Sequence, residues 1–356
     1  MRFMTAGYHM ASMAPKRALD RRTFLATTGV AGVAALAGCT GNGGDGGDGG
    51  DGGDGGDGSD GSDGSDGSDG SDGGSRLSWH AGGTGGTYFP LSNEFKQVIE
   101  SNSNFKIQVQ STGASVENVG SLKNGDADFA LIQNDVAYFA KNGTGIDAFK
   151  NNAVENLRGV ATLYPETITI VTLKSTGISK PSDLSGATIN TGDLGSGTQV
   201  NAIQILEALG IEDYTEQNAG FSTAADQLKN GDIDAAFVVG GWPVGAISDL
   251  ATTNDIEIVS IEGDNRQAVL DAAPFYAEDT IPGGTYSGIS KKRETVSVQA
   301  MIATRAELSA DTVETVTASI FDNLGELTIK TDFITKDSAQ DGMSIDLHEG
   351  AKAYFG

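Results

Sequence analysis

The five residues LKNGD stand at positions 122–126 and again, letter for letter, at 228–232, 106 residues further on. Each copy runs on through x-Asp into an apolar stretch, ADFALIQ in the first case and IDAAFVV in the second. Both read as a helix end followed by a buried strand. The Leu faces a core, the Lys sits near the negative end of a helix, and Asn-Gly supplies the left-handed residue that stops it. The surroundings match as well. Ahead of the first copy lie a strand at 77–81, the Gly-rich loop GGTGGT (82–87), helical spacing at Tyr88, Leu91, Phe95, Val98 and Ile99, a strand at 105–110, and a short helix carrying Val116, Val119 and Leu122. Ahead of the second lie a strand at 187–191, the loop GDLGSGT (192–198), an amphipathic helix through Val200, Ile203, Leu206 and Leu209 closed by Gly210, and a helix at 224–230. Short apolar strands alternating with helical patterns belong to the α/β class. A shared order around a shared stop predicts two similar α/β lobes.

Working outward, two N-terminal stretches read as non-folding. Arg21-Arg22 precede a small, apolar stretch (26–37) that closes on Leu36-Ala37-Gly38-Cys39. It is too short to span a bilayer, and its basic flank and small-residue end describe a twin-arginine export signal over 1–39. Cys39 is the only cysteine, which excludes a disulfide or a Cys-based metal site, and its context is that of a lipidated first mature residue. Residues 40–75 are DGG triplets passing into DGS triplets with no apolar side chain, a disordered tether reaching on the order of 30 Å. A calcium-binding repeat is the rival reading, but the period is three rather than nine and each turn lacks its aliphatic residue.

From Arg76 onward, 18 Lys and Arg face 37 Asp and Glu, a net charge of −19 out of the whole chain's −25. Nucleic acid, bound through phosphate neutralisation, is therefore not an expected partner. The balance reads as a halophilic surface, kept soluble where salt mutes self-repulsion.

Chemistry has few candidates. GGTGGTY fits no register of G-x-G-x-x-G, and GDLGSGTQ has P-loop spacing without its Lys. What remains is an anion site made of backbone N–H groups at helix starts. His80 and His348 begin no metal spacing, no nucleophile elbow is present, and neither a metal nor a cofactor is expected. Trp242, ahead of Pro243 at a strand end, and Tyr88 and Tyr164 near the loops read as cleft residues.

Several stretches, taken together, resemble one family: HAGGTGGTYFPL (80–91), VQSTGASVENV (109–119), GDADFALIQNDVA (125–137), LRGVATLYPETITIV (157–171), GSGTQVNA (195–202), GDIDAAFVVGGWP (231–243), IPGGTYSG (281–288) and GMSIDLHEGAKAYF (342–355). They look like the TAXI solute-binding subunits of tripartite ATP-independent periplasmic (TRAP) transporters, in a haloarchaeal-type lipoprotein. The resemblance implies a type II periplasmic-binding-protein fold, with lobe 1 at 76–163 and 287–356, lobe 2 at 164–286, and a hinge and cleft between them. It implies capture of a small organic anion, glutamate-like or a dicarboxylate, and delivery to TRAP membrane subunits by a non-enzyme anchored outside the cell. By the same resemblance Thr84, Gly85, Gly86, Thr87, Tyr88, Thr112, Gln133, Tyr164, Ser196, Gly197, Thr198 and Trp242 line the cleft, amides and hydroxyls on the carboxylate and aromatic rings on the apolar stem. An extracellular enzyme or a sensory receptor on the same scaffold is the alternative.

Overall fold

A computed structural model describes residues 75–356; the export signal, Cys39 and nearly all of the tether lie outside the described residues. The first lobe opens with β1 (Arg76–His80), α1 (Tyr88–Asn102), β2 (Lys106–Gln110), α2 (Ser115–Asn124), β3 (Phe129–Gln133) and α3 (Asn134–Asn142), then leaves through β4 (Leu157–Leu173). The second lobe holds β5 (Thr188–Asn190), α4 (Gly197–Ala208), β6 (Thr215–Gln217), α5 (Phe221–Asn230), β7 (Ala235–Gly240), α6 (Gly245–Thr253), β8 (Ile256–Val259), α7 (Gly263–Ala272) and β9 (Ala277–Ile281). The chain returns along β10 (Arg293–Arg305) and ends in α8 (Ala310–Phe321) and α9 (Glu349–Phe355) on the first lobe.

The strand order β2-β1-β3-β10 is mirrored by β6-β5-β7-β4. In each set the first three strands are parallel and the fourth, which arrives from the other lobe, is antiparallel. The repeated helix stop predicted two similar α/β lobes, and the strand order joining them is the type II arrangement that the family resemblance implied.

Both copies of LKNGD behave alike. Gly125 and Gly231 take φ of 82° and 76°, and their N–H groups donate back to the carbonyls of Leu122 and Leu228 at 3.2 and 3.1 Å. The next residues repeat the pattern, Asp126 N–H donating to the Ser121 carbonyl and Asp232 N–H to the Gln227 carbonyl, each at 2.9 Å. These paired bonds consume carbonyls that a helix end leaves free. Leu122 and Leu228 are buried. The second Asp of each Asp-x-Asp clamps the first strand of its lobe: Asp128 Oδ2 accepts from Ser78 N–H at 2.9 Å and Asp234 Oδ2 from Thr188 N–H at 2.8 Å.

Central strands in both lobes are buried on both faces, as parallel strands covered by helices must be. Phe129 and Leu131 of β3 join Trp79, Phe95 and Ile320 on one side, while Ala130 and Ile132 join Leu122, Val136 and Met301 on the other. Along β7, Phe237 and Val239 pack with Ile189 and Ile205, and Ala236 and Val238 with Leu228 and Ile247. Trp79 stacks on Phe129 with ring centroids 5.4 Å apart, and its indole N–H donates to Ser92 at 3.0 Å.

Two long strands carry the chain between lobes. Thr167 of β4 pairs with Ser297 of β10, Glu166 with Val298 and Pro165 with Gln299, and the register slips between Gln299 and Met301. A proline and a bulge thus meet where the two half-sheets join. Ile289 packs with Ile247 and Leu228, and Val296 and Val298 with Phe237, so the first residues of β10 still belong to the core of the second lobe.

Candidate functional site

Each Gly-rich loop connects the first strand of its lobe to a helix, and the two loops face one another across a cleft. The cleft encloses a cavity of about 70 Å³, or about 570 Å³ with its mouth. Contacts between the lobes close it on several sides. Val116 and Glu117, at the start of α2, donate to the carbonyl of Gly195 at 3.1 and 3.3 Å, and Ala246 in α6 donates to the carbonyl of Gly85 at 3.2 Å. Thr87 donates its hydroxyl proton to the Gly241 carbonyl at 3.2 Å. Gly197 makes the closest approach: a Cβ there would collide with Gln133 Oε1 far inside van der Waals contact, so only glycine lets the second loop reach the first lobe.

Gly85, Gly86, Thr87, Tyr88, Thr112, Gln133, Ser196, Gly197 and Thr198 all line this cavity. Their roles differ. Ser196 caps α4 by accepting from the Gln199 N–H at 3.1 Å. The first-turn N–H groups of Gly197 and Thr198 have no partner within the helix and face the cavity end of its dipole. Thr112 is committed to its own loop, donating to Asn118 at 2.7 Å and accepting from Ala114 N–H at 3.1 Å.

The other three expected residues are placed elsewhere. Thr84 is an exposed turn residue outside the lining. Tyr164 lies beneath the floor, buried, with its hydroxyl donating to Glu166 Oε1 at 3.0 Å. Trp242 packs edge-on against Phe333 at 6.3 Å, and its carbonyl accepts from Lys330 Nζ. The Lys330 ammonium lies 5.6 Å from the Trp242 ring and 5.9 Å from the Tyr164 ring. Burial pushes this lysine down to about 8, against the opposing pull of Glu166 and Asp279. Neither histidine lines the cavity: His348 caps α9 by accepting from Gly350 N–H at 3.1 Å, and His80 is buried at the end of β1.

Sequence reading missed Glu166. Its side chain reaches the cavity floor from β4, 3 % exposed, with Oε1 held by Tyr164 and Oε2 accepting from Gln133 Nε2 at 3.3 Å. Burial pushes its carboxyl up to about 7, although the bonds from Tyr164 and Gln133 favour the charged form. Tyr88 sits beside Glu166 and Ser115 with no hydrogen bond of good geometry to either, so its hydroxyl is buried and unsatisfied, as is Gln133 Oε1. Ala114, also lining, takes φ 71° and ψ −141°, a backbone conformation almost restricted to glycine. Among the described residues, the lining contains two carboxylates, Glu166 and Asp193, and no Lys or Arg.

A second buried polar cluster joins the lobes, near enough to Glu166 for its carboxylate to be felt there. Asn201 of α4 donates to Asp135 of α3 at 2.8 Å and to the Tyr276 hydroxyl at 3.2 Å. Asp135 Oδ1 and Asn201 Oδ1 are both left without partners among the described residues. Burial raises Asp135 to about 6.

Among solved structures, the chain is similar to an ancestral arginine-binding protein bound to arginine, with 14% identity over 79% of this chain and 98% of that one and a TM-score of 0.44. It is similar to the alkanesulfonate-binding protein SsuA from Xanthomonas axonopodis pv. citri bound to MOPS, with 14% identity, 71% and 76% coverage and a TM-score of 0.44. It is also similar to the substrate-binding protein of an amino acid ABC transporter, with 14% identity, 70% and 95% coverage and a TM-score of 0.43. The family model of the NMT1-like family matches residues 80–356 in one run, from the last residue of β1 through both lobes to Gly356. The chain belongs to the NMT1-like family.

Proposed function

We propose that this protein is an extracytoplasmic solute-binding protein, not an enzyme, whose lobes close on a small organic anion. One observation carries the reading: two Gly-rich loops, one from each lobe, present helix-start amides to a single enclosed cavity at the junction of the lobes. Thr87, Tyr88 and Gln133 from the first lobe and Ser196, Gly197 and Thr198 from the second hold the solute, supported by their common lining of that cavity. Closure follows from contacts made only when both lobes reach the solute at once.

The quoted resemblance to TAXI subunits favours a glutamate-like or dicarboxylate solute and delivery to TRAP membrane subunits. It also favours export by the twin-arginine signal and anchoring on the outer face through Cys39, with residues 40–75 as tether. No helix among the described residues is long and apolar enough to cross a membrane, and a lipid on Cys39 would supply the attachment. Titration of the full chain with L-glutamate and 2-oxoglutarate in molar KCl tests the reading. A saturable change in tryptophan fluorescence, a concentration-dependent rise in Tm and recovery of unaltered solute are expected. Consumption of the solute would refute it.

A further inference from the structure

An anion entering this cavity meets an acid, not a base. The floor is Glu166, the rim carries Asp193, and among the described residues no Lys or Arg lines the space between. Two full negative charges about 4 Å apart in a closed cleft would weaken binding on the order of a thousandfold at an effective dielectric of about 20. The surroundings of Glu166 offer little relief. From β4 itself comes Tyr164, from α1 Tyr88, from β3 Gln133, from the start of α2 Ser115, and from β10 the apolar Val298. Asp135 of α3 adds negative charge. Lys330 is a cation that Glu166 attracts, but its ammonium is engaged by the Trp242 carbonyl, lies 5.9 Å from the Tyr164 ring and does not line the cavity.

We infer that the site takes up one proton together with each anionic solute, and that Glu166 is where the proton resides. This rests on the anion reading above. The balance is simple: an ionised Glu166, a solute anion and a solvent proton become a neutral carboxylic acid beside a bound anion, with no other bond made or broken. Two features fit a neutral acid. Each carboxyl oxygen has one donor and room for a proton on its other lone pair. The Tyr88 hydroxyl beside it is buried without a partner, so it can accept the new O–H and direct its own proton to the solute. Glu166 thereby becomes part of a donor lining that suits a carboxylate, and the lack of a guanidinium in the described lining is accounted for.

Calorimetric titration of the full chain with 2-oxoglutarate and with L-glutamate, in two buffers of different ionisation enthalpy, counts the protons. With Glu166 near 7 before binding, uptake should approach one proton per solute at pH 8.5, and affinity should fall about thirtyfold between pH 6 and pH 8.5. Glu166→Gln, which keeps the neutral shape, should abolish the uptake and bind about thirtyfold more tightly than the unsubstituted chain at pH 8.5. Carboxylate binding without proton uptake and with flat affinity over that range overturns this inference and leaves the anion reading standing. So does a Glu166→Gln chain that still takes up a proton. A chain that binds neither carboxylate overturns both.

Discussion

At Gly197 a single hydrogen atom in place of a side chain decides whether the lobes can meet. Gly197→Ala would drive a methyl group into Gln133 Oε1, and Gln133 cannot retreat without giving up Glu166. Solute affinity should fall at least about tenfold, while the Tm of the unliganded chain, free to stay open, changes little; fluorescence titration and a melt of the same sample check both. Ala114 holds the opposite relation to glycine, an alanine where the backbone wants none. Ala114→Gly should stabilise the chain by about 1 kcal/mol in urea unfolding, the relief of a strained φ less the added freedom of the unfolded chain. Of the residues that line the cavity, those on the glycine loops were legible, Thr84 being the loop residue that does not reach it, because loop, helix start and motif coincide in the sequence. Glu166 was not: in a chain with 48 acidic residues one more carboxylate inside PETITIV reads as solvated surface. Only the pairing of β4 with β10 turns it into the cleft floor. That Trp242, at the strand end where the sequence put it, lies outside the cavity lining was not legible either, since Lys330, its neighbour in space, is 88 residues away along the chain.

Elements are held by chemistry that repeats between lobes but is not equal in strength. Asp234 grips Thr188 N–H alone, whereas Asp128 grips Ser78 N–H and also accepts from Arg305 at 2.9 Å. Asp234→Ala should therefore cost about 1–2 kcal/mol, and Asp128→Ala about 2–4 kcal/mol because it leaves a half-buried guanidinium unpaired as well; paired denaturation curves give the comparison. The central strands and the Asn-Gly helix ends of the repeated unit were legible to within a residue or two, because a buried parallel strand is written as a continuous apolar run and a helix end as Asn-Gly; the start of α5 fell three residues ahead of the 224 read from sequence. β4 and β10 were less so. Their crossing between the lobes is set by partners more than a hundred residues distant, as Ala300–Gln133 and Ser297–Thr167 illustrate.

For the whole molecule, closure is electrostatically conditional. Burial holds Asp135 near 6, above the value of about 3.9 for an unfolded aspartate, so the folded chain binds this proton more tightly than the unfolded one. The resulting stability is present below about pH 4, is lost as pH rises through 6, and stays lost beyond. Asp135→Asn supplies the missing donor to Asn201 Oδ1 permanently. It should raise stability at pH 8 by about 2 kcal/mol and confer no advantage near pH 4, measured by thermal unfolding at the two pH values. The charge of the entire fold sets a second condition. With 37 acidic and 18 basic residues after position 75, Tm should rise as KCl is increased from 0.1 to 2 M, and calorimetry in that series checks it.

Thr167 and Ser297 face each other as a register pair, and everything between them forms one lobe. Entry and exit of that lobe are thus neighbours on a two-stranded ribbon, a junction with the geometry of a socket. Segment 168–296 could be lifted out and exchanged for the matching segment of a relative, cutting two strands and leaving few apolar contacts to be remade, chiefly those of Val298 with Phe237 and of Val200 with the first lobe. The cavity lining would be divided, Ser196, Gly197 and Thr198 travelling with the segment and Thr87, Tyr88 and Gln133 staying, so on the proposed reading specificity in such a fold can be recombined by a single graft.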